Sequence, residues 1–411
     1  MSVPQSLAVN LKRFQNATHS VQRITGDRSS YTSSSTMQFM FPTAGVLDLA
    51  SISILADFFT THTAAVTLST PALNSAMIKR VELLIGNVPV SLNQLSDYGF
   101  VASLMSSYAL NKMKMDALQS VFREGSVDVT TANGSVTTPL VLVSQWLGLL
   151  GSGSDVRWLP LALLPQITLN VYLHDRSRWT TADNSAVTTA FQLQNARLQY
   201  LRLDFDNMML ENLWADRLQK QEIMIPFTDY RYYEGGSTTA TANTFTSFVN
   251  TTSLDYVVAG YRPADYDTSY ANRLISHPGN TGVDSVTNQL YLNSAPMSAY
   301  SLTPIDAVNV TASALGGNEN VLLAPDFGAT GTATTFANYR DSVYALIHRT
   351  KFDTSVTDGA DWVTGYNTYG QSVPIDYIMN GGFATAKKPF IIAVCKGVLS
   401  IGLGKQVATQ L

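Results

Sequence analysis

Five histidines, three closely spaced pairs of aspartates and one cysteine are the residues of this 411-residue chain best suited to acid–base, metal or nucleophilic chemistry. His19, His62, His174, His277 and His348 lie far apart, in segments that read as loops or strand ends, without a carboxylate-rich neighbourhood. That distribution predicts surface or interface histidines rather than ligands of a metal. Asp204 with Asp206, Asp265 with Asp267, and Asp358 with Asp361 have the spacing at which two carboxylates share a divalent ion or flank a glycosidic bond. Polar loops carry such pairs routinely, so spacing alone assigns them neither role. Cys395 stands in the apolar run FIIAVCKGVL and reads as a small buried hydrophobe; a single cysteine excludes an internal disulfide and any multi-cysteine zinc site. The stretch from Gly397 to Lys405 has glycines and a lysine, but Gln406 stands where a phosphate-binding loop needs Ser or Thr. No Gly-x-Ser-x-Gly elbow and no His-Glu-x-x-His pair occurs. The sequence therefore predicts no catalytic residue, no metal and no cofactor.

The elements around these residues read as β-rich. The length suggests two domains of about 200 residues each. Charged residues make up only 14% of the chain, against roughly 25% in an average soluble protein, while 45% is hydrophobic. An uncharged, hydroxyl-rich surface suits a protein whose faces are covered by neighbours. A net charge of -4 gives no overall footprint for nucleic acid, so any genome contact has to be local. In MSVPQSLAVNLKRF the charges follow the apolar run, the wrong order for a signal peptide, and no apolar run approaches the length of a membrane span.

Along the chain, residues 1–30 hold Lys12, Arg13, Arg23 and Arg28 with little periodicity and read as an extended N-terminal arm. Short strands bounded by Pro, Gly, Asn or Thr begin at Thr36. Ile78 to Ile85, Gly86-Asn87 and Val88 to Val90 read as a hairpin. From Gln94 to Phe122 the period becomes helical, with Tyr98, Val101, Leu104, Met105, Tyr108, Met115, Leu118 and Phe122 on one face. Ile167, Leu169, Val171 and Leu173 alternate strictly, as in a strand with one covered face. A long strand from Phe191 gives way to a short amphipathic helix marked by Met209, Leu210, Leu213, Trp214 and Leu218, and strand spacing returns at Ile223, Ile225 and Phe227. Five further strand candidates follow, with a helix after Thr303-Pro304 and polar excursions at 277–285 and 316–335. The division is an arm at 1–30, a first β-domain at 31–206, a helical linker at 207–221 and a second β-domain at 222–411.

Several phrases carry a resemblance. Ile78-Lys-Arg-Val-Glu-Leu-Leu-Ile-Gly-Asn-Val-Pro-Val90 with a helix after it, Trp146-Leu-Gly-Leu-Leu150 followed by Leu159 to Leu173, Leu254-Asp-Tyr-Val-Val-Ala-Gly-Tyr-Arg262, and Gln289-Leu-Tyr-Leu-Asn-Ser-Ala-Pro296 followed by Thr303-Pro304 are similar to successive segments of the double jelly-roll major capsid proteins. That lineage includes tailless membrane-containing phages, virophages, polinton-like viruses, large DNA viruses and the adenovirus hexon. The resemblance covers most of residues 36–400 and rests on no strict motif. It implies an all-β chain with a few helices, folded as two tandem eight-stranded jelly rolls. It also implies a virion protein assembled inside the host cell as a pseudohexameric homotrimer in an icosahedral shell, in contact with neighbouring capsomers and with penton and minor capsid proteins. Lys12, Arg13, Arg23 and Arg28 would then face an internal membrane or the genome, and the outer loops would be free to meet a host receptor. Trp214, Leu213 and Leu210 would pack between the lobes and fix their relative angle.

Two other classes fit the same strands. A receptor- or carbohydrate-binding attachment protein would use Trp179, Tyr266, Tyr270, Trp362, Tyr366 and Tyr369 as exposed stacking platforms. A glycosidase would need two carboxylates converging in a cleft.

Overall fold

A computed structural model describes residues 17–410 apart from 92–95, 110–127, 132–133, 152–156, 181–185, 206–215, 269–285, 316–344, 352–364, 382–384 and the single positions 72 and 220. Two antiparallel β-sandwiches follow one another. The first comprises β1 (Ala17–Thr25), β2 (Ser30–Tyr31), β3 (Thr36–Met40), β4 (Val46–Asp48), β5 (Ser53–His62), β6 (Val66–Ser69), β7 (Ile78–Ile85) and β8 (Val88–Pro89). Helix α1 (Tyr98–Ala109) comes next, then β9 (Asp128–Thr131), β10 (Gly134–Val143), β11 (Trp158–Pro160), β12 (Ile167–Leu173) and β13 (Thr188–Phe205). One sheet has the order β10-β5-β13-β4-β11, with β1 and β2 also on β13; the other has the order β3-β12-β7-β8, and β6 pairs with β9.

The second sandwich comprises β14 (Ile223–Glu234), β15 (Ala242–Val249), β16 (Leu254–Pro263), β17 (Thr287–Leu292) and β18 (Ala295–Pro296). After helix α2 (Pro304–Ala314) come β19 (Leu346–Arg349), β20 (Val373–Asn380), β21 (Lys387–Ile401) and β22 (Val407–Gln410). Its sheets are β14-β21-β16-β19, with β22 on β21, and β15-β20-β17-β18.

The residue patterns explain these elements. Burial in β12 alternates as expected, with Ile167, Leu169, Val171 and Leu173 inward, and β5 does the same through Ile54, Ala56, Phe58, Thr60 and His62. In β21 burial is almost continuous, and the strand contributes to both cores, Phe390 to Cys395 to the second and Leu399 and Ile401 to the first. Cys395 lies within it, and burial pushes its thiol up to about 12, so it is the inert hydrophobe expected. The Gly86-Asn87 hairpin forms with φ of 56° and 69°, the two positive values a type I′ turn requires.

One expectation changes, and two others fall partly outside the described residues. Much of the expected arm is a strand: β1 runs antiparallel to β13 in unbroken register from Ala17↔Phe205 to Thr25↔Arg197, with Arg23 exposed opposite Gln199. Arg28 lies beyond it, exposed beside Asp27 at 3.4 Å, and Lys12 and Arg13 fall outside the described residues. The expected helix at 94–122 is described only over α1, with Met115, Leu118 and Phe122 outside. Of the expected linker helix, 216–219 is helical and Leu218 packs on the first core, whereas Leu210, Leu213 and Trp214 lie outside the described residues. Among the described residues no helix is long and apolar enough to cross a membrane.

Candidate functional site

Where the two lobes meet, aromatic and ionised side chains from both converge. Helix α1 begins two residues beyond an isolated bridge, Arg80↔Ser96. Its sequence, YGFVASLMSSYA, carries no charge, the composition of a helix buried on more than one side. Gly99 permits a close seat, since a Cβ there would stand 2.6 Å from the Ile78 carbonyl oxygen and 2.7 Å from that of Ser75. Tyr98 and Ala102, one turn apart, belong to the first core, whereas Phe100, Val101, Leu104 and Tyr108 belong to the second. The helix is a wedge with a face in each lobe.

On the second-lobe side the Phe100 ring meets Tyr232, Tyr266 and Phe390 edge-on, with centroids 5.8, 5.3 and 5.0 Å away. At the far end of the helix the Tyr108 hydroxyl accepts the Ala345 N–H at 2.9 Å. Side chains also cross in the other direction. Ile225 and Phe227 of β14 and Leu399 and Ile401 of β21 join the first core. Beside them the Ser91 hydroxyl donates to Asp229 Oδ1 at 2.6 Å, and Arg231 Nε donates to Asp229 Oδ2 at 3.1 Å.

A buried ionic cluster lies against the start of the wedge. Arg262, at the end of β16, is 1% exposed, and a buried guanidinium persists only if it is paired. Its Nη2 stands 3.1 Å from Asp97 Oδ2, 2.5 Å from Glu234 Oε2 and 3.4 Å from Asp267 Oδ2. Its guanidinium carbon lies 5.4 Å from the ring centroid of Phe100, 5.5 Å from that of Tyr232 and 5.2 Å from that of Tyr266. Lys388 Nζ holds the other oxygen of Glu234 at 2.8 Å. Asp97 immediately precedes α1, so this pairing pins the helix to the second lobe. Burial alone would raise the Asp97 pKa, but His174 and Arg262 outweigh it and hold the carboxyl below its ordinary range.

Two neighbours extend the seam. Ring nitrogen Nε2 of His174 is 3.8 Å from Asp97 Oδ1 and 3.9 Å from Asp267 Oδ1. Arg178 stacks on Tyr266 with 3.8 Å between guanidinium carbon and ring centroid, and its Nη1 donates to the Tyr266 carbonyl at 3.2 Å. The Ser177 hydroxyl donates to the Asp267 carbonyl at 2.7 Å.

The sequence candidates scatter around this seam. His174 sits in it, as an interface histidine. His62 is buried, within 2.8 Å of Thr60 Oγ1 and 3.1 Å of Thr188 Oγ1, and burial lowers its pKa. His348 is also buried, and burial pushes it down to about 4. Both therefore depart from the expectation of surface histidines, because the strand ends they occupy point inward. His19 is exposed on β1, and His277 lies outside the described residues. Of the aspartate pairs, Asp267 belongs to the seam and Asp204 pairs with Arg202 at 2.8 Å, while Asp206, Asp358 and Asp361 lie outside the described residues. Trp179 and Tyr266, expected as exposed platforms in an attachment protein, are buried at 0% and 2%. Trp179 Nε1 donates to the His174 carbonyl at 2.9 Å. Tyr366 is half-buried and Tyr369 exposed, while Tyr270 and Trp362 lie outside the described residues. The wedge and Arg262 were not expected as site residues. The signals available for them are an uncharged helix inside a β-domain and an arginine closing an apolar strand.

No protein-family model matches the sequence, and no curated protein matches it. Solved structures do. The chain is similar to PBCV-1 VP54, fitted into a reconstruction of the virophage Sputnik, at TM-score 0.62 and 11% identity, over 97% of this chain and 98% of that one. It is similar to the Faustovirus major capsid protein at TM-score 0.54 and 11% identity, over 93% and 90% of the two chains. It is similar to the mavirus major capsid protein at TM-score 0.54 and 9% identity, over 95% and 90%. At these identities the likeness is one of fold. The two sandwiches are tandem jelly rolls, the double jelly-roll architecture of viral major capsid proteins.

Proposed function

We propose that this chain is a viral major capsid protein that assembles as a pseudohexameric homotrimer, the building block of an icosahedral shell. The observation that carries the reading is the pair of lobes with matching four-stranded sheets, β3-β12-β7-β8 and β15-β20-β17-β18, held by the two-way exchange of core residues at the seam. Three copies of a subunit with two similar lobes at a fixed angle present six similar corners. The low charge of the chain fits faces covered by neighbouring subunits. In this reading the partners are the other two subunits, adjacent capsomers, and penton and minor capsid proteins, and the protein resides in the virion. Lys12, Arg13, Arg23 and Arg28 face an internal membrane or the genome, and the outer loops meet a host receptor. The role is assembly, in line with structural neighbours that are capsid proteins.

Burial of Trp179 and Tyr266 removes two of the platforms on which a carbohydrate-binding reading depends. Electron microscopy of the purified full-length chain tests the proposal. Pseudohexagonal trimers or closed shells are expected. A monodisperse monomer that binds glycans on an array would overturn it.

A further inference from the structure

The ionic cluster at the seam has an unsatisfied side. One carboxylate oxygen each of Asp97 and Asp267 and a ring nitrogen of His174 lie within 4.8 Å of one another. The distances from Nε2 to the two oxygens, 3.8 and 3.9 Å, are too long for hydrogen bonds. Tetrahedral bonds of about 2.0–2.2 Å put ligand atoms roughly 3.3–3.6 Å apart, so the imidazole and the two oxygens stand a few tenths of an ångström wider than the ligands of one ion. Their orientation suits a shared ion. Arg262 engages Oδ2 of both aspartates, leaving the Oδ1 atoms on the side of the imidazole. Asp267 Oδ1 is sealed from solvent and, among the described residues, has no hydrogen-bond partner. His174, with a side chain only 5% exposed, has none at Nδ1 and holds Nε2 toward the two oxygens. A buried ring and a buried carboxylate oxygen left facing each other without a bond are costly unless something lies between them.

We propose that Asp97, His174 and Asp267 bind a divalent metal ion of the zinc or first-row transition type, and that this ion links the two lobes. One imidazole with two carboxylates suits such ions better than magnesium or calcium, which take oxygen ligands. Asp97 and His174 come from the first lobe and Asp267 from the second, so the ion ties together segments that meet only in the finished fold. The proposal rests on the seam alone and stands or falls independently of capsid assembly.

Full-length protein treated with EDTA and dialysed is titrated with zinc chloride by calorimetry, and its melting temperature is followed with and without zinc. One saturable site per chain and a higher melting temperature with zinc are expected. His174→Gln and Asp267→Asn are each expected to weaken zinc binding at least tenfold and to abolish the shift; Asp267 is the more exposed position, so that variant provides a folded protein if the first does not. Cobalt(II) bound to the unaltered protein should give a visible absorption spectrum that His174→Gln loses. Absence of a saturable site in the unaltered protein, or a zinc-dependent shift that persists in both variants, would overturn the proposal.

Discussion

In the first lobe β7 turns through Gly86-Asn87 into β8, the Val90 N–H returns to the Leu83 carbonyl at 3.0 Å, and the bridge Arg80↔Ser96 precedes α1. In the second lobe β17 turns through Asn293-Ser294 into β18, the Met297 N–H returns to the Leu290 carbonyl at 2.8 Å, and the bridge Asn288↔Leu302 precedes α2. Each helix starts two residues after its bridge. From there the lobes diverge. α2 has a capping box in which Thr303 and Asp306 bond each other's backbone, and it leaves Ile305 60% exposed. Its inner face stays in its own lobe, where Thr311 donates to the Ala345 carbonyl and accepts the Ile347 N–H, both at 3.2 Å. The uncharged α1 gives its second face to the neighbouring lobe, and its Tyr108 takes the N–H of the same Ala345. One local design serves as a lid in one lobe and as a wedge in the other, and the outer face of the helix decides which.

Substitutions on the two helices test that difference directly. Phe100→Ala should lower the free energy of urea unfolding by about 3–5 kcal/mol, as for a large buried aromatic, whereas Ile305→Ala on α2 should stay within about 0.5 kcal/mol. Equal costs would remove the distinction between wedge and lid. If Trp214, with Leu213 and Leu210, forms a second clamp between the lobes, Trp214→Ala should cost about 3 kcal/mol and disturb trimers more than lobe folding. Unchanged melting and normal trimers would leave α1 as the clamp. Acid should act on the second lobe through His348 of β19. Its pKa of about 4 in the folded chain lies below its ordinary value, so the unfolded chain takes up the proton first. Stability is full above about pH 6.5 and falls as the pH drops toward 4, by about 3 kcal/mol in total. His348→Leu should flatten that slope in melting curves, and an unchanged slope would place the acid-sensitive group elsewhere. A modest effect is expected at the cap. Thr303→Ala should cost about 1 kcal/mol, with amide exchange speeding up in α2 and not in α1.

Much of this fold was legible. Alternation in Ile167 to Leu173, the Gly86-Asn87 turn and the Thr303 cap are local signals, and local patterns determine local structure. β1 was not legible, because its burial does not alternate into a core: Val21 is 63% exposed and only Ile24 packs inward. Its strand character comes from hydrogen bonds to β13, far away in sequence. The seam was legible only in pieces. His174 and Asp267 each stood out in the sequence, but nothing in their spacing joins them to one another, to Arg262 or to Asp97, since the fold alone brings them together. The face of α1 was visible as apolar, while its division between two cores depends on packing that no periodicity records.

The crossing of Leu399 and Ile401 into the first core also bears on the order of events during synthesis. Chains commonly fold from the N-terminus as they emerge, at roughly 5–20 residues per second. Here the first lobe lacks part of its interior until β21 has been made, which at such rates is of the order of 10–40 s after β13 has emerged. A nascent first lobe is thus an open sandwich awaiting its last strand, and a chain cut short before β21 cannot present a finished lobe to its neighbours.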